Sequence, residues 1–265
     1  MRTVVCHFFN EEYLLPWWLT HHREIFDHGV MIDNGSTDRS ADICRELVPH
    51  WRLVRGRNHK FAAIPQDFEV MQYESEVTGW KIVLNVTEFL VAPHLDLLEK
   101  EIIDGECHGS MLDAYIMVDS QPQDEPIHSL PLYAQKPFGF RQQDVNGPHL
   151  GGRRSRFYHH MQIGAYTPGR HATHWPRQAA SPESRLWAVV LWFGLSPWNE
   201  KLVARKTQIA ATVPQSDLKS GFGVQHFNGV SQIEADRQTC LPFAKDLTGQ
   251  FKLRSAQPKW RSQAH

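Results

Sequence analysis

Two short segments decide the fold: Thr3-Val4-Val5-Cys6-His7-Phe8-Phe9 and, twenty residues on, Gly29-Val30-Met31-Ile32-Asp33 with the turn Asn34-Gly35-Ser36-Thr37-Asp38. Each is a short apolar run of strand-forming residues ended by polar turn residues, the pattern of a strand buried on both faces. Between them, residues 11–28 place Leu14, Leu15, Trp18, Ile25 and Phe26 near helical spacing. Glu11 and Glu12 fall where a helix dipole favours acids, so a helix is expected over this stretch. Strand, helix, strand at this spacing is a βαβ unit, and such units build parallel sheets.

Working outward, the alternation continues. Residues 41–47 read as a helix with Ile43 and Leu47 four apart, 51–54 as a strand, and 66–78 as a helix. Residues 80–91 (WKIVLNVTEFLV) read as a single fourth strand running into a polar turn, and 108–119 as a fifth strand. After about Gln121 the alternation weakens. Residues 121–182 are rich in Pro, Gly, Gln, His and Arg, as in long loops around a site. Trp187–Phe193 is a compact apolar segment, and 199–207 reads as a helix. The expected class is α/β, a mainly parallel sheet flanked by helices. The divisions expected are 1–120 as the sheet-forming core, 121–254 as a loop-rich completion of the same domain, and 255–265 as a polar, basic tail.

The bulk properties fit. The chain has 265 residues, 41% hydrophobic, 22% charged and 11% aromatic, which excludes disordered, collagen-like and coiled-coil classes. The longest apolar run, Leu186–Gly194, is far short of the roughly 18 residues that span a bilayer. Residues 1–10 lack the long apolar stretch of a secretory signal. Cys6, Cys44, Cys107 and Cys240 form no CxxC pair and read as reduced thiols. The sequon Asn85-Val86-Thr87 sits inside an apolar pattern and reads as accidental. These features lead to an expectation of a cytoplasmic protein, or one bound peripherally to a membrane.

The net charge of −1 hides a division. Residues 1–128 carry 10 Lys+Arg against 22 Asp+Glu, a balance of −12; residues 129–265 carry 18 against 7, a balance of +11. A basic half points to an anionic partner. A nucleic-acid partner is not expected, because interleaved lysines and exposed aromatic motifs are missing.

Ligands of open parallel sheets bind beyond the carboxyl ends of the strands. Asn10-Glu11 and Asp33-Asn34 end the first two strands and would line one crevice. There Asp33 can accept hydrogen bonds from a ribose or a base; equally, Asp33 and Asn34 can form only a turn and a helix cap.

The string Phe9-Asn10-Glu11-Glu12-Tyr13-Leu14-Leu15-Pro16-Trp17-Trp18, followed by His21-His22 and by Val30 to Asp38 ending D-N-G-S-T-D, resembles the opening of family-2-like glycosyltransferases of the GT-A fold. The likeness spans about residues 3–120. It implies transfer of a sugar from a nucleotide-diphosphate sugar, a UDP-sugar foremost, to a glycan or lipid-linked acceptor, as in polysaccharide biosynthesis. It also implies that Asp33 holds the base or ribose, and that the backbone near Phe8, Asn10, Glu11 and Asn34 holds the nucleotide.

At the end of the fourth strand such enzymes carry an acidic D-x-D-E-F motif; here Asn85-Val86-Thr87-Glu88-Phe89 stands in its place. Mg²⁺ and Mn²⁺ favour charged oxygen ligands, so Asn85 and Thr87 weaken any such site. Three readings follow. Glu88, the diphosphate and a His hold a metal; or basic groups neutralise the diphosphate without one; or catalysis is lost and the chain only binds a nucleotide or glycan. The basic half supplies Arg153, Arg154 and Arg156 in the Gly-led loop 151–156, and Arg205-Lys206, as candidate diphosphate or acceptor contacts. Gly169-Arg170-His171 resembles a Gly-x-His feature near the donor sugar. Residues 191–206 resemble an H-Y-x-x-K-S-x-E-E element and its basic pair, with Leu191 where the His would stand. An inverting transfer needs a general base. Glu183, in Ser181-Pro182-Glu183 at a helix start, is the first candidate, and Asp144 and His171 follow.

Overall fold

The computed structural model describes residues 1–58, 61–145, 152–179 and 187–250. The first βαβ unit is β1 (Arg2–Phe8), α1 (Leu15–His22) and β2 (His28–Asp33). It is followed by α2 (Ser40–Leu47), β3 (Arg52–Arg55), α3 (Ala63–Ser75), β4 (Trp80–Val83), β5 (Glu88–Val91) and α4 (Leu95–Asp104). Next come β6 (Gly109–Leu112), β7 (Ala114–Val118), α5 (Leu132–Gln135), β8 (Phe138–Arg141), β9 (Arg156–His159) and β10 (Gln178–Ala179). The chain continues through β11 (Val189–Leu195), α6 (Glu200–Thr207), α7 (Gln215–Lys219), α8 (Val230–Cys240) and β12 (Lys245–Asp246).

One sheet of the described residues runs β10-β6-β9-β4-β1-β2-β3. β1 pairs in parallel with β2 on one side and β4 on the other, so Val4, Val5, Cys6 and Phe8 are buried. That explains the unbroken apolar run. A second sheet runs β12-β8-β7-β11-β5. The class is α/β, as the alternation predicts.

Two expected long strands are each divided between the sheets. Residues 80–91 form β4 in the first sheet and β5 in the second. The break is the turn Asn85–Thr87, closed by the Glu88 N–H donating to the Asn85 carbonyl at 2.8 Å. Residues 108–119 divide the same way into β6 and β7 at Asp113, whose carboxylate accepts from Arg141 at 2.5 Å. A single apolar run hides such a corner because both halves are buried.

The first helix is shorter than expected. Asn10 is left-handed (φ 50°), and the N–H groups of Glu11 and Glu12 donate to Ser40 Oγ (2.8 Å) and Asp38 Oδ2 (3.0 Å). The N-E stretch is therefore a loop buttressed by the D-N-G-S-T-D turn. The helix begins at Leu15, with Pro16 in its first turn where a missing N–H costs nothing. Its two histidines clamp it to β5: His21 Nε2 donates to the Leu90 carbonyl at 2.7 Å, and the Leu90 N–H donates to His22 Nε2 at 3.1 Å. At the other end, α6 is capped by Asn199, whose Oδ1 accepts from the Leu202 N–H at 3.0 Å.

Candidate active site

β1, β2 and β4 run parallel, so their carboxyl ends share one edge. A cleft of about 720 Å³ opens there. Its floor is the end of β1 and the Asn85–Thr87 turn; its walls are loop 168–171, the start of α3, the β11–α6 segment and α8.

The turn is wired to two arginines. Arg156, at the start of β9, donates from Nε and Nη2 to the two carboxylate oxygens of Glu88 at 2.7 and 2.5 Å, and both side chains are buried. Glu88 also accepts from the Asn85 N–H at 2.8 Å. It therefore points behind the turn, and it does not line the cleft. Asn85 Oδ1 lines the cleft but accepts from Arg170 Nη2 at 3.0 Å. Arg170 also donates to Asp67 and, at 3.2 Å, to His7 Nδ1. Its backbone is left-handed (φ 63°), a conformation that costs a residue with a side chain about 1–3 kcal/mol. Two bonds hold it there: Arg170 N–H to the Thr167 carbonyl (2.9 Å) and Gly169 N–H to Asp67 Oδ2 (2.8 Å).

These side chains do not fit a divalent cation. Such an ion needs charged oxygens with free lone pairs. Both Glu88 oxygens are taken by a guanidinium, the Asn85 oxygen by another, and Thr87 offers only a neutral hydroxyl. Among the described residues no three His, Cys, Asp or Glu groups stand together as a metal site.

Positive charge is concentrated instead. Arg154 lies 3.8 Å over the Trp192 ring, and Lys206 Nζ is 5.4 Å from the same ring while donating to the Gly194 carbonyl at 3.1 Å. Arg205 forms a two-point ion pair with Glu11. Burial, then the cations Arg154 and Arg205, bring the Lys206 ammonium down to about 8. Burial and Arg156 act against the charge on Arg154 and bring it to about 10, although Glu88 opposes the shift. Burial and the arginines 156, 154 and 170 push His171 down to about 2. Burial, Lys206, Arg205 and Arg154 push His226 to about 4. A set of cations that mutually disfavour their own charge is an environment an anion relieves.

The sequence-predicted residues are distributed as follows. Phe8, Glu11, Asn34, Asn85, Thr87, Arg154, His171, Arg205 and Lys206 line the cleft. Glu88 and Arg156 lie behind it. Asn10 is part of the buttressing loop, its Oδ1 accepting from the Thr37 N–H at 2.8 Å. Asp33 accepts from the Gly35 and Ser36 N–H groups at 3.2 and 2.8 Å, the geometry of the turn reading, and faces a neighbouring hollow beside Arg45 and Arg55. Asn34 is buried, with no bond to its Oδ1 among the described residues. Arg153 is exposed outside the cleft, and Asp144 is exposed and pairs with Arg141 at 3.5 Å. Glu183 and the tail 255–265 lie outside the described residues. Asp67 and His7 were not singled out from the sequence, and Arg170 only as the middle of the Gly169-Arg170-His171 segment.

No family model and no curated protein matches the chain. Among solved structures, TarS of S. aureus is similar at 13% identity and a TM-score of 0.33, over 47% of this chain and 23% of that one. TarS 1–349 in complex with UDP-GlcNAc gives 13% identity and a TM-score of 0.33, over 48% of this chain and 37% of that one. Glucosyl-3-phosphoglycerate synthase from Mycobacterium tuberculosis, in complex with Mn²⁺, UDP and glucosyl-3-phosphoglycerate, gives 18% identity and 0.31, over 44% of each chain. The chain thus spans less than half the length of each. Likeness of this depth leaves the site to be read from its own residues.

Proposed function

We propose that the cleft binds a nucleoside-diphosphate sugar, a UDP-sugar foremost, and transfers its sugar with inversion to a glycan or lipid-linked acceptor without a divalent metal. The observation that carries this is the replacement of metal-binding acids by Asn85 and Thr87 in a turn whose Asn85 amide oxygen is bound by Arg170 and whose adjoining Glu88 carboxylate is bound by Arg156. The motif resemblance supports the donor class. The cationic wall supports the metal-free part.

In this reading Arg154 and Lys206 face the diphosphate, and Arg170 fixes the turn beneath it. As the anomeric C–O bond breaks, negative charge grows on the leaving phosphate oxygen. Fixed cations in a desolvated cleft stabilise that charge more than they stabilise the ground state. Trp192, buried beneath Arg154, fixes that guanidinium at the cleft wall. Neutral His171 is a weak base, since burial and three arginines depress its proton affinity. No helix among the described residues is long and apolar enough to cross a membrane.

A binding-only relative is the second reading, favoured by the two cleft acids, Glu11 and Asp67, that are each neutralised by an arginine. Purified protein is tested for UDP release from UDP-glucose and UDP-N-acetylglucosamine, with Mn²⁺ and with EDTA. Turnover undiminished by EDTA is expected. Tight UDP binding with no turnover on any donor supports the second reading.

A further inference from the structure

Three carboxylates line the cleft among the described residues: Glu11, Asp67 and Asp236. Glu11 is held at two points by Arg205, and Asp67 by Arg170 and the Gly169 N–H. A carboxylate so engaged has its lone pairs committed to the donors it already holds. Asp236 differs. It makes no ion pair among the described residues, and its one bond is from the Gln232 amide to Oδ1 at 2.9 Å, one helical turn back. Oδ2 has no bond among the described residues.

The helix that carries it is locked from its other side. Ile233, Arg237 and Cys240 of α8 are buried. Arg237 donates to the Asp119 carbonyl at 3.2 and 2.7 Å and lies 5.1 Å from the Trp198 ring. Asp236 thus sits on a fixed element at the flank of the buried stripe, beside the cleft-lining Ile233. It lines the same cleft as Lys206, a cation of the proposed diphosphate site.

We propose that Asp236 is the general base of the transfer; this rests on the donor reading above. Its Oδ2 takes the proton from the acceptor hydroxyl, or from water, as that oxygen bonds to the anomeric carbon. The anomeric C–O bond to the diphosphate breaks, and its electron pair stays on the phosphate oxygen, facing Lys206 and Arg154. The products are the glycosylated acceptor, the nucleoside diphosphate and a proton on Asp236, which passes to solvent.

The test uses the full chain, with UDP-glucose and UDP-N-acetylglucosamine as donors and water as acceptor. Asp236→Asn is expected to lower the rate of UDP release about 10²–10⁴-fold, the range for losing a general base. Its Kd for UDP should stay within about twofold, and that binding also reports that the variant is folded. Azide attacks without needing deprotonation, so it should restore turnover in Asp236→Asn and yield the glycosyl azide. Activity retained by Asp236→Asn overturns the assignment while the donor reading stands. Asp236→Asn inactive with UDP bound but not rescued by azide also overturns the assignment. Wild-type protein that neither binds UDP nor releases it overturns the donor reading itself.

Discussion

Arg156 and Glu88 form a two-point ion pair beneath the cleft, with both side chains shut from solvent. Glu88 is the one acid left in the Asn85–Phe89 motif, and its charge is neutralised inside the protein. Breaking a buried pair leaves one charge uncompensated and costs about 3–5 kcal/mol. Arg156→Met should therefore lower the melting temperature by about 10 °C, and Arg156→Met with Glu88→Leu should recover part of that loss. Thermal melts of the single and double variants check this.

Restoring acids at the turn should not create metal dependence. Asn85→Asp would meet Arg170, and Thr87→Asp would face the cationic wall, so both new carboxylates gain guanidinium partners before any ion. The double variant is expected to show no Mn²⁺ stimulation of UDP release. Its UDP affinity should fall about tenfold, because negative charge now faces the diphosphate.

Lys206 gives the anion site a pH signature. Its ammonium is lowered to about 8, and only the charged form attracts phosphate. UDP affinity should hold below pH 8 and weaken as the pH rises through it. Lys206→Met should bind UDP about tenfold or more weakly and lose that step, as titration calorimetry across pH 6.5–9 would show.

The same substitution has a spectroscopic consequence. Lys206 is the largest charge neighbour holding down His226. Removing a positive neighbour favours the imidazolium, so the His226 pKa should rise from about 4 toward its ordinary value in Lys206→Met. NMR titration of the His226 ring protons reads this directly.

Acid should destabilise the fold early. Burial keeps His22 neutral, well below its usual value, and brings His21 to about 4. Below about pH 6.5 the unfolded chain takes up protons that the folded chain refuses, so stability falls as pH falls. His22 alone contributes a slope approaching about 1.4 kcal/mol per pH unit. Urea midpoints measured from pH 7 to pH 4.5 should decline steadily, and His21→Gln should flatten part of the decline.

The βαβ opening was legible because β1 and β2 are buried on both faces and their ends carry turn residues. The corner at Asn85–Thr87 was not, since the strands on both sides of the bend are largely buried and apolar. The basic half pointed to Arg154, Arg205 and Lys206, which do face the cleft. It could not distinguish them from Arg153, which is exposed, or Arg156, whose charge is spent on Glu88. Local spacing says nothing about a partner 68 residues away. Asp67 and Asp236 were equally hidden, because an acid on a helix looks the same in sequence whether it faces solvent, an arginine or a cleft.

The central claim is that fixed cations do here what a metal would otherwise do. The most direct measurement is the rate of UDP release from UDP-sugar donors by purified protein, in EDTA and in Mn²⁺. Equal rates in the two conditions are predicted. A rate abolished by EDTA and restored by Mn²⁺ would contradict the account.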